Sequence, residues 1–152
     1  MKFRQINEDI DYILQGETEE ERIVRGKAVI GGDPSFITFM KMGTDPSMKL
    51  LGLPEGAPDV YEPDIHIPDG ISNTTARQEL RRIKSFLPGG SYANLKPVKK
   101  ENVWIQILEG VHWKEAEVLT EIKDQLVLKK YPKLGPVLEA LGVIANINSI
   151  KT

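Results

Sequence analysis

Proline and glycine leave this chain no room for long uninterrupted elements. Ten prolines and thirteen glycines are spread through 152 residues, and they separate short stretches whose apolar residues repeat at helical spacing. Few stretches alternate apolar and polar residues with period two, so strands are not expected. The pattern specifies an all-α fold, a small helical bundle assembled from several short amphipathic helices.

The helices can be placed from their boundaries. Phe3, Ile6, Ile10, Ile13 and Leu14 share one face of a helix over residues 3–14 that Gly16 ends. Thr18-Glu19-Glu20-Glu21 reads as a capping box, with Glu21 reaching back to the Thr18 amide, and opens a helix that Gly31-Gly32 closes. Asp33-Pro34 and Asp45-Pro46 each pair an N-cap residue with proline at the first helical position. A helix over residues 74–87 buries Ala76, Leu80, Ile83 and Leu87, and Pro88-Gly89-Gly90 breaks it. Pro97 opens the most apolar helix, with Trp104, Ile107 and Leu108, which Gly110 ends. A further helix is expected over residues 115–128 on Val118, Leu119, Ile122 and Leu126. Pro132 and Pro136 frame a last one through Leu138 and Leu141, closed by Gly142. The β-branched content of residues 143–150 permits a strand. Most core density is expected in residues 74–141.

Residues 53–71 stand apart. Four prolines (Pro54, Pro58, Pro63, Pro68) and five acids in this stretch exclude a helix. Val60, Tyr61, Ile65 and Ile67 are placed to dock it as an extended strap on its own domain or on a partner. The organisation is therefore an N-terminal helical arm over residues 1–52, an acidic proline-rich strap over 53–71 and a C-terminal helical bundle over 72–152, forming one folding unit.

Charge is divided unequally along the chain. Residues 1–71 hold 7 Lys/Arg against 14 Asp/Glu, whereas residues 72–152 hold 13 against 8. Two consequences are possible: the halves neutralise each other within the fold or in head-to-tail assembly, or the basic half attracts a polyanion. The candidate contact surface is the row Arg77, Arg81, Arg82 and Lys84 on the helix over 74–87, continued by Lys96, Lys99 and Lys100. Tyr92 lies between the clusters, where its ring could stack on a base. The overall balance is acidic, with pI ≈ 5.8, and no zinc-finger, RRM or KH signature is present.

Other chemistry finds little support. The chain has no cysteine and only two histidines, His66 and His112, so thiolate and multi-histidine metal sites are excluded. Neither Gly31-Gly32-Asp33-Pro34-Ser35 nor Pro88-Gly89-Gly90-Ser91 matches a P-loop, although the amides of Gly89, Gly90 and Ser91 could meet a phosphate. No Gly-x-Ser-x-Gly elbow exists. His66 has Asp64 and Asp69 near it in sequence, a conceivable single-metal site, and His112 precedes Trp113 at a helix start, where a capping role is expected. The carboxylate groupings (Glu115 with Glu117, Glu117 with Glu121, Glu121 with Asp124) fit solvated helix faces. The expectation is a protein without catalysis, cofactor, metal or small-molecule substrate. Acids stand where a signal peptide would need its apolar run, and no apolar stretch approaches the ~20 residues of a membrane span.

Leu53-Pro-Glu-Gly-Ala-Pro58, Arg77-Gln78, Phe86-Leu-Pro-Gly-Gly90, Trp104-Ile-Gln-Ile-Leu-Glu-Gly-Val-His112, Glu115-Ala-Glu-Val-Leu119, Lys123-Asp124 and Lys130-Tyr131 together resemble a family of small proteins of T-even-like tailed bacteriophages, the cyanophage-type myoviruses. The resemblance spans residues 40–141 and is most specific at the Ile-Gln-Ile-Leu-Glu-Gly-Val-His block. The family often has proline after that histidine, where this chain has Trp113. The resemblance implies a viral protein made in the host bacterial cytoplasm. It transfers no activity and no site residues.

Two functions fit these observations. One is a phage accessory protein that docks through the basic face on nucleic acid or on a nucleoprotein complex of replication or transcription. The other is a structural component of the virion, a homo-oligomer in which acidic surfaces of one copy meet basic faces of the next.

Overall fold

The computed structural model describes residues 4–144. Among them the fold is all-α, without a strand, and no helix is long and apolar enough to cross a membrane. The helices are α1 (Ile6–Leu14), α2 (Glu19–Gly32), α3 (Ser35–Thr44), α4 (Leu80–Lys84), α5 (Pro97–Gly110), α6 (Trp113–Lys123), α7 (Val127–Lys130) and α8 (Leu134–Ala140). A single 3₁₀ turn, Pro46–Met48, follows α3. The possible strand over residues 143–150 lies, from 145 on, outside the described residues; Val143 and Ile144 are buried.

Helix α6 is the hub. It packs against α1, α3, α5 and α7, while α2 bridges α1 and α8. Ile6, Ile10 and Ile13 from α1 and Phe36, Phe39 and Met40 from α3 are fully buried in the same core as Trp104, Leu119 and Ile122. The first 52 residues thus share one core with the C-terminal helices, although most of the buried apolar residues lie, as expected, within residues 74–141. An apolar stripe on a helix must be covered, and α1 covers its own on α6.

The helix boundaries follow local chemistry. Thr18 Oγ1 accepts from the Glu21 amide at 3.1 Å, as the capping box requires, but the Glu21 carboxylate accepts from the Glu17 amide at 2.9 Å rather than from that of Thr18. Asp33 Oδ1 accepts from the Ser35 amide at 2.9 Å, and Asp45 Oδ1 from the Ser47 amide at 2.9 Å. Pro97 occupies the first position of α5.

Two expected helices are shorter than their apolar patterns. Over residues 74–87 only Leu80–Lys84 is helical, because the chain before it turns tightly, with the Glu79 amide shared between the carbonyls of Thr75 and Ala76. Over 115–128 the helix stops at Lys123. Gln125 adopts φ 55, and its side-chain amide donates to the carbonyls of Met42 at 3.2 Å and Asp45 at 2.6 Å, closing the C-terminal end of α3.

The strap contains no helix and docks on its own chain. The Gly56 amide donates to Asp124 Oδ2 at 2.9 Å, the Pro54 carbonyl accepts from Lys123 Nζ at 2.7 Å, and the Ile67 carbonyl lies 3.2 Å from His112 Nε2. At the strap's end, the amides of Asn73 and Thr74 donate to the Gly110 carbonyl at 3.1 and 3.0 Å. Of the four apolar residues expected to dock it, only Tyr61 packs on the core; Val60, Ile65 and Ile67 face outward.

Candidate functional site

The eight residues singled out for partner binding separate into two groups. Arg81, Lys84, Lys96 and Lys99 are exposed, and none forms an ion pair among the described residues. Arg81 and Lys84 lie three residues apart on α4, and Lys96 and Lys99 flank the start of α5. Helix α5 begins without a side-chain cap and without an acid in its first turn, so its positive end adds to these cations. Arg82 stands at the edge of the group, half-exposed, with Nη1 3.1 Å from Glu79 Oε2 and Nη2 donating to Gln106 Oε1 at 3.2 Å.

Arg77 leaves the candidate surface. It sits in the turn before α4, not on the helix, and its side chain is only 1 % exposed. Its Nη2 lies 2.6 Å from Asp9 Oδ2, its Nε lies 2.8 Å from Asp33 Oδ2, and its Nη1 donates to the Arg4 carbonyl at 3.0 Å. Burial works against ionisation of Asp33, yet the Ser35 hydrogen bonds and the charges of Arg77 and Arg4 outweigh it and hold this carboxyl below its usual range. Here the acidic and basic halves do neutralise each other inside the fold.

Lys100 and Tyr92 are also drawn inward. Lys100 is buried, its side chain laid across Gly52, where φ is +79 and a Cβ would stand 2.7 Å from the ammonium nitrogen. Tyr92 packs edge-on against Phe86 with ring centroids 5.1 Å apart, and Phe86 in turn meets Trp104 at 5.7 Å. The Tyr92 ring is part of a core aromatic cluster, not a free stacking platform. The Gly90 amide is consumed by the Leu87 carbonyl at 2.8 Å, and a Cβ there would come within 2.5 Å of the Ser85 oxygen. Of the three loop amides named for a phosphate contact, that of Gly90 is thus taken within the loop.

The histidines and carboxylates resolve differently. His112 Nδ1 accepts from the Lys114 amide at 3.2 Å, capping α6, which leaves Nε2–H to donate to the Ile67 carbonyl at 3.2 Å. His66 is exposed; the Asp64 carboxylate accepts from its amide at 3.2 Å, while Asp69 pairs with Lys114 at 2.9 Å. Among the described residues no three acidic or histidine side chains converge as a metal site would require.

Glu115, expected on a solvated face, is completely buried. Its Oε2 accepts from the Ile6 amide at 2.8 Å and its Oε1 from the Ala76 amide at 2.9 Å, so one carboxylate ties α6 to the start of α1 and to the turn that carries Arg77. Burial pushes its pKa up to about 7, against the two amide hydrogen bonds and Arg77. Glu121 is buried too and accepts from the Tyr131 hydroxyl at 2.6 Å. Only Glu117 of that expected face is exposed. Nothing in the sequence marks Glu115 except its place in the first turn of a helix, where acids are common for electrostatic reasons alone.

With this geometry in hand, one family model matches, over residues 33–129, and is described as "Family of unknown function (DUF6433)". The chain belongs to this family. The matched span begins at Asp33, the acid that meets Arg77, and runs through α3, the strap, the basic face and α6 to Lys129 within α7. Helix α1 lies outside it although its isoleucines complete the same core. No curated protein matches the chain, and no solved structure matches it.

Proposed function

We propose that this chain is a non-enzymatic accessory protein of a tailed bacteriophage, acting in the host bacterial cytoplasm by docking on nucleic acid or on a replication or transcription complex. The contact surface consists of Arg81, Lys84, Lys96 and Lys99, with Arg82 at its border. One observation carries this reading: these four cations stand exposed without a carboxylate partner among the described residues, whereas neighbouring Arg77 is fully engaged inside. Free cations at a surface release counterions when they meet phosphates, which favours association. The resemblance to phage proteins supports the setting. The test is retention on heparin and on immobilised duplex DNA at about 50 mM salt, where phosphate contacts are strongest. Retention that the R81E/K84E double variant abolishes is expected, and passage of the native protein through the column unretarded would refute it.

A second reading, a structural component of the virion, is favoured by the strap. Val60, Ile65 and Ile71 are exposed there among Asp59, Glu62, Asp64 and Asp69. Val98 is exposed between Lys96 and Lys99 and offers a complementary basic and apolar patch on another copy. Light scattering on the eluted protein, with mass spectrometry of purified particles, separates the two: a monomer absent from particles eliminates the virion role.

A further inference from the structure

A cavity of about 400 Å³ opens between the strap and α6, on a part of the molecule that the basic face does not use. The strap contributes Ala57, Tyr61 and Pro63, and the floor is Trp113, Ala116 and Leu126. This volume and apolar lining fall in the range of small-ligand pockets.

The charged groups of the cavity are three carboxylates against one lysine, Lys130. Glu117, Glu121 and Asp124 recur at i, i+4 and i+7 along α6 and its C-terminal cap, so they line one wall. Asp124 is already satisfied by Lys123 Nζ at 2.6 Å and the Gly56 amide at 2.9 Å. The other two are not. Glu121 is only 8 % exposed; its Oε1 accepts from Tyr131, but its Oε2 receives no hydrogen bond among the described residues. Glu117 forms no ion pair among them, and neither does Lys130, the one basic residue of the lining. Burial, with the charge of Glu117, pushes the Glu121 carboxyl above its usual range despite the Tyr131 hydrogen bond and the nearby charge of Lys130. With one lysine against these carboxylates the wall stays net negative beside an apolar space, an arrangement that favours a cation bound against it.

We propose that this cavity binds a small organic cation with an apolar body, an alkylammonium or alkylguanidinium group. The charged head sits against Glu121 and Glu117, and the carbon chain lies between Tyr61 and the floor of α6. Such a group comes either from a free amine or from a lysine or arginine side chain of a partner protein.

The test is calorimetric titration of the full chain with n-hexylammonium, with its neutral isostere 1-hexanol, and with the blocked tripeptide acetyl-Gly-Lys-Gly-amide. Hexylammonium is expected to bind at least about 10-fold more tightly than hexanol, a difference of about 1.4 kcal/mol. E121Q and E117Q should each erase most of that preference, while E139Q, at an exposed residue of α8 outside the lining, leaves it intact. Because Glu117 is exposed and its side chain bonds to no described residue, E117Q keeps the test valid if E121Q fails to fold. Tighter binding of the tripeptide assigns the site to a partner's side chain; tighter binding of hexylammonium assigns it to a free amine. Equal affinity for hexanol, an E117Q variant that binds like the native protein, or no heat with either cation overturns the proposal.

Discussion

Arg77 and Arg81 are four residues apart and chemically identical, yet the fold gives them opposite duties. Arg77→Ala leaves the buried Asp9 carboxylate with only the longer, half-exposed Arg4 pairing at 3.6 Å, and breaking such a buried pair from one side costs roughly 3–5 kcal/mol. Arg81→Ala removes an exposed side chain that makes no ion pair among the described residues and should stay within about 0.5 kcal/mol of the native protein. Urea denaturation of the two variants checks the contrast; equal stabilities would mean that Arg77 does not anchor α1. Glu115 gives a second prediction at this scale. Its folded pKa of about 7 lies above the ordinary carboxyl value, so the folded state favours the protonated form. Its contribution is therefore greatest below about pH 4.5 and is lost as pH rises toward and through 7, a total of about 3 kcal/mol. Asp33, held low, acts in the opposite sense, and its contribution disappears only in acid. Between pH 5 and pH 8 the urea midpoint should fall as pH rises. Glu115→Gln should flatten that slope; an unchanged slope contradicts the assignment.

Among the elements, the strap is the one whose attachment is most exposed to test. Lys123 is buried and its ammonium holds the Pro54 carbonyl and Asp124 together. Lys123→Met keeps the apolar stem and deletes this charge-assisted bond, worth roughly 1.5–3 kcal/mol. Cleavage within residues 53–71 by a nonspecific protease should quicken by about 10-fold or more while the circular dichroism remains helical. Unaltered cleavage would show that the strap is held elsewhere. The strap's non-helical character was legible because four prolines forbid anything else. Helix starts were legible as well, since Thr18, Asp33, Asp45 and Pro97 act through local chemistry. The breaks at residues 74–79 and 124–126 were not, because their causes are remote: the Ala76 amide is claimed by Glu115, and the Gln125 side chain by the end of α3. Periodicity reports which face is apolar, and it carries no information on which carbonyl a distant glutamine will reach.

At the scale of the whole molecule, the same limit explains the site. The seven cations with one acid in residues 77–100 make a continuous basic row only on an ideal helix. Once the helix shortens and α1 arrives with Asp9, the row loses Arg77 to the interior, and Lys100 closes over Gly52. What remains is a smaller surface of four cations without an ion pair among the described residues, and the proposed function depends on their meeting phosphates. The most direct measurement is the salt dependence of duplex-DNA affinity by fluorescence anisotropy, for the native protein and for R81E/K84E. Four phosphate contacts predict a slope of log Kobs against log salt of about −3 to −4, falling to about half or to no measurable binding in the variant. Absence of binding by the native protein at about 50 mM salt, or an unchanged slope in R81E/K84E, would contradict the account.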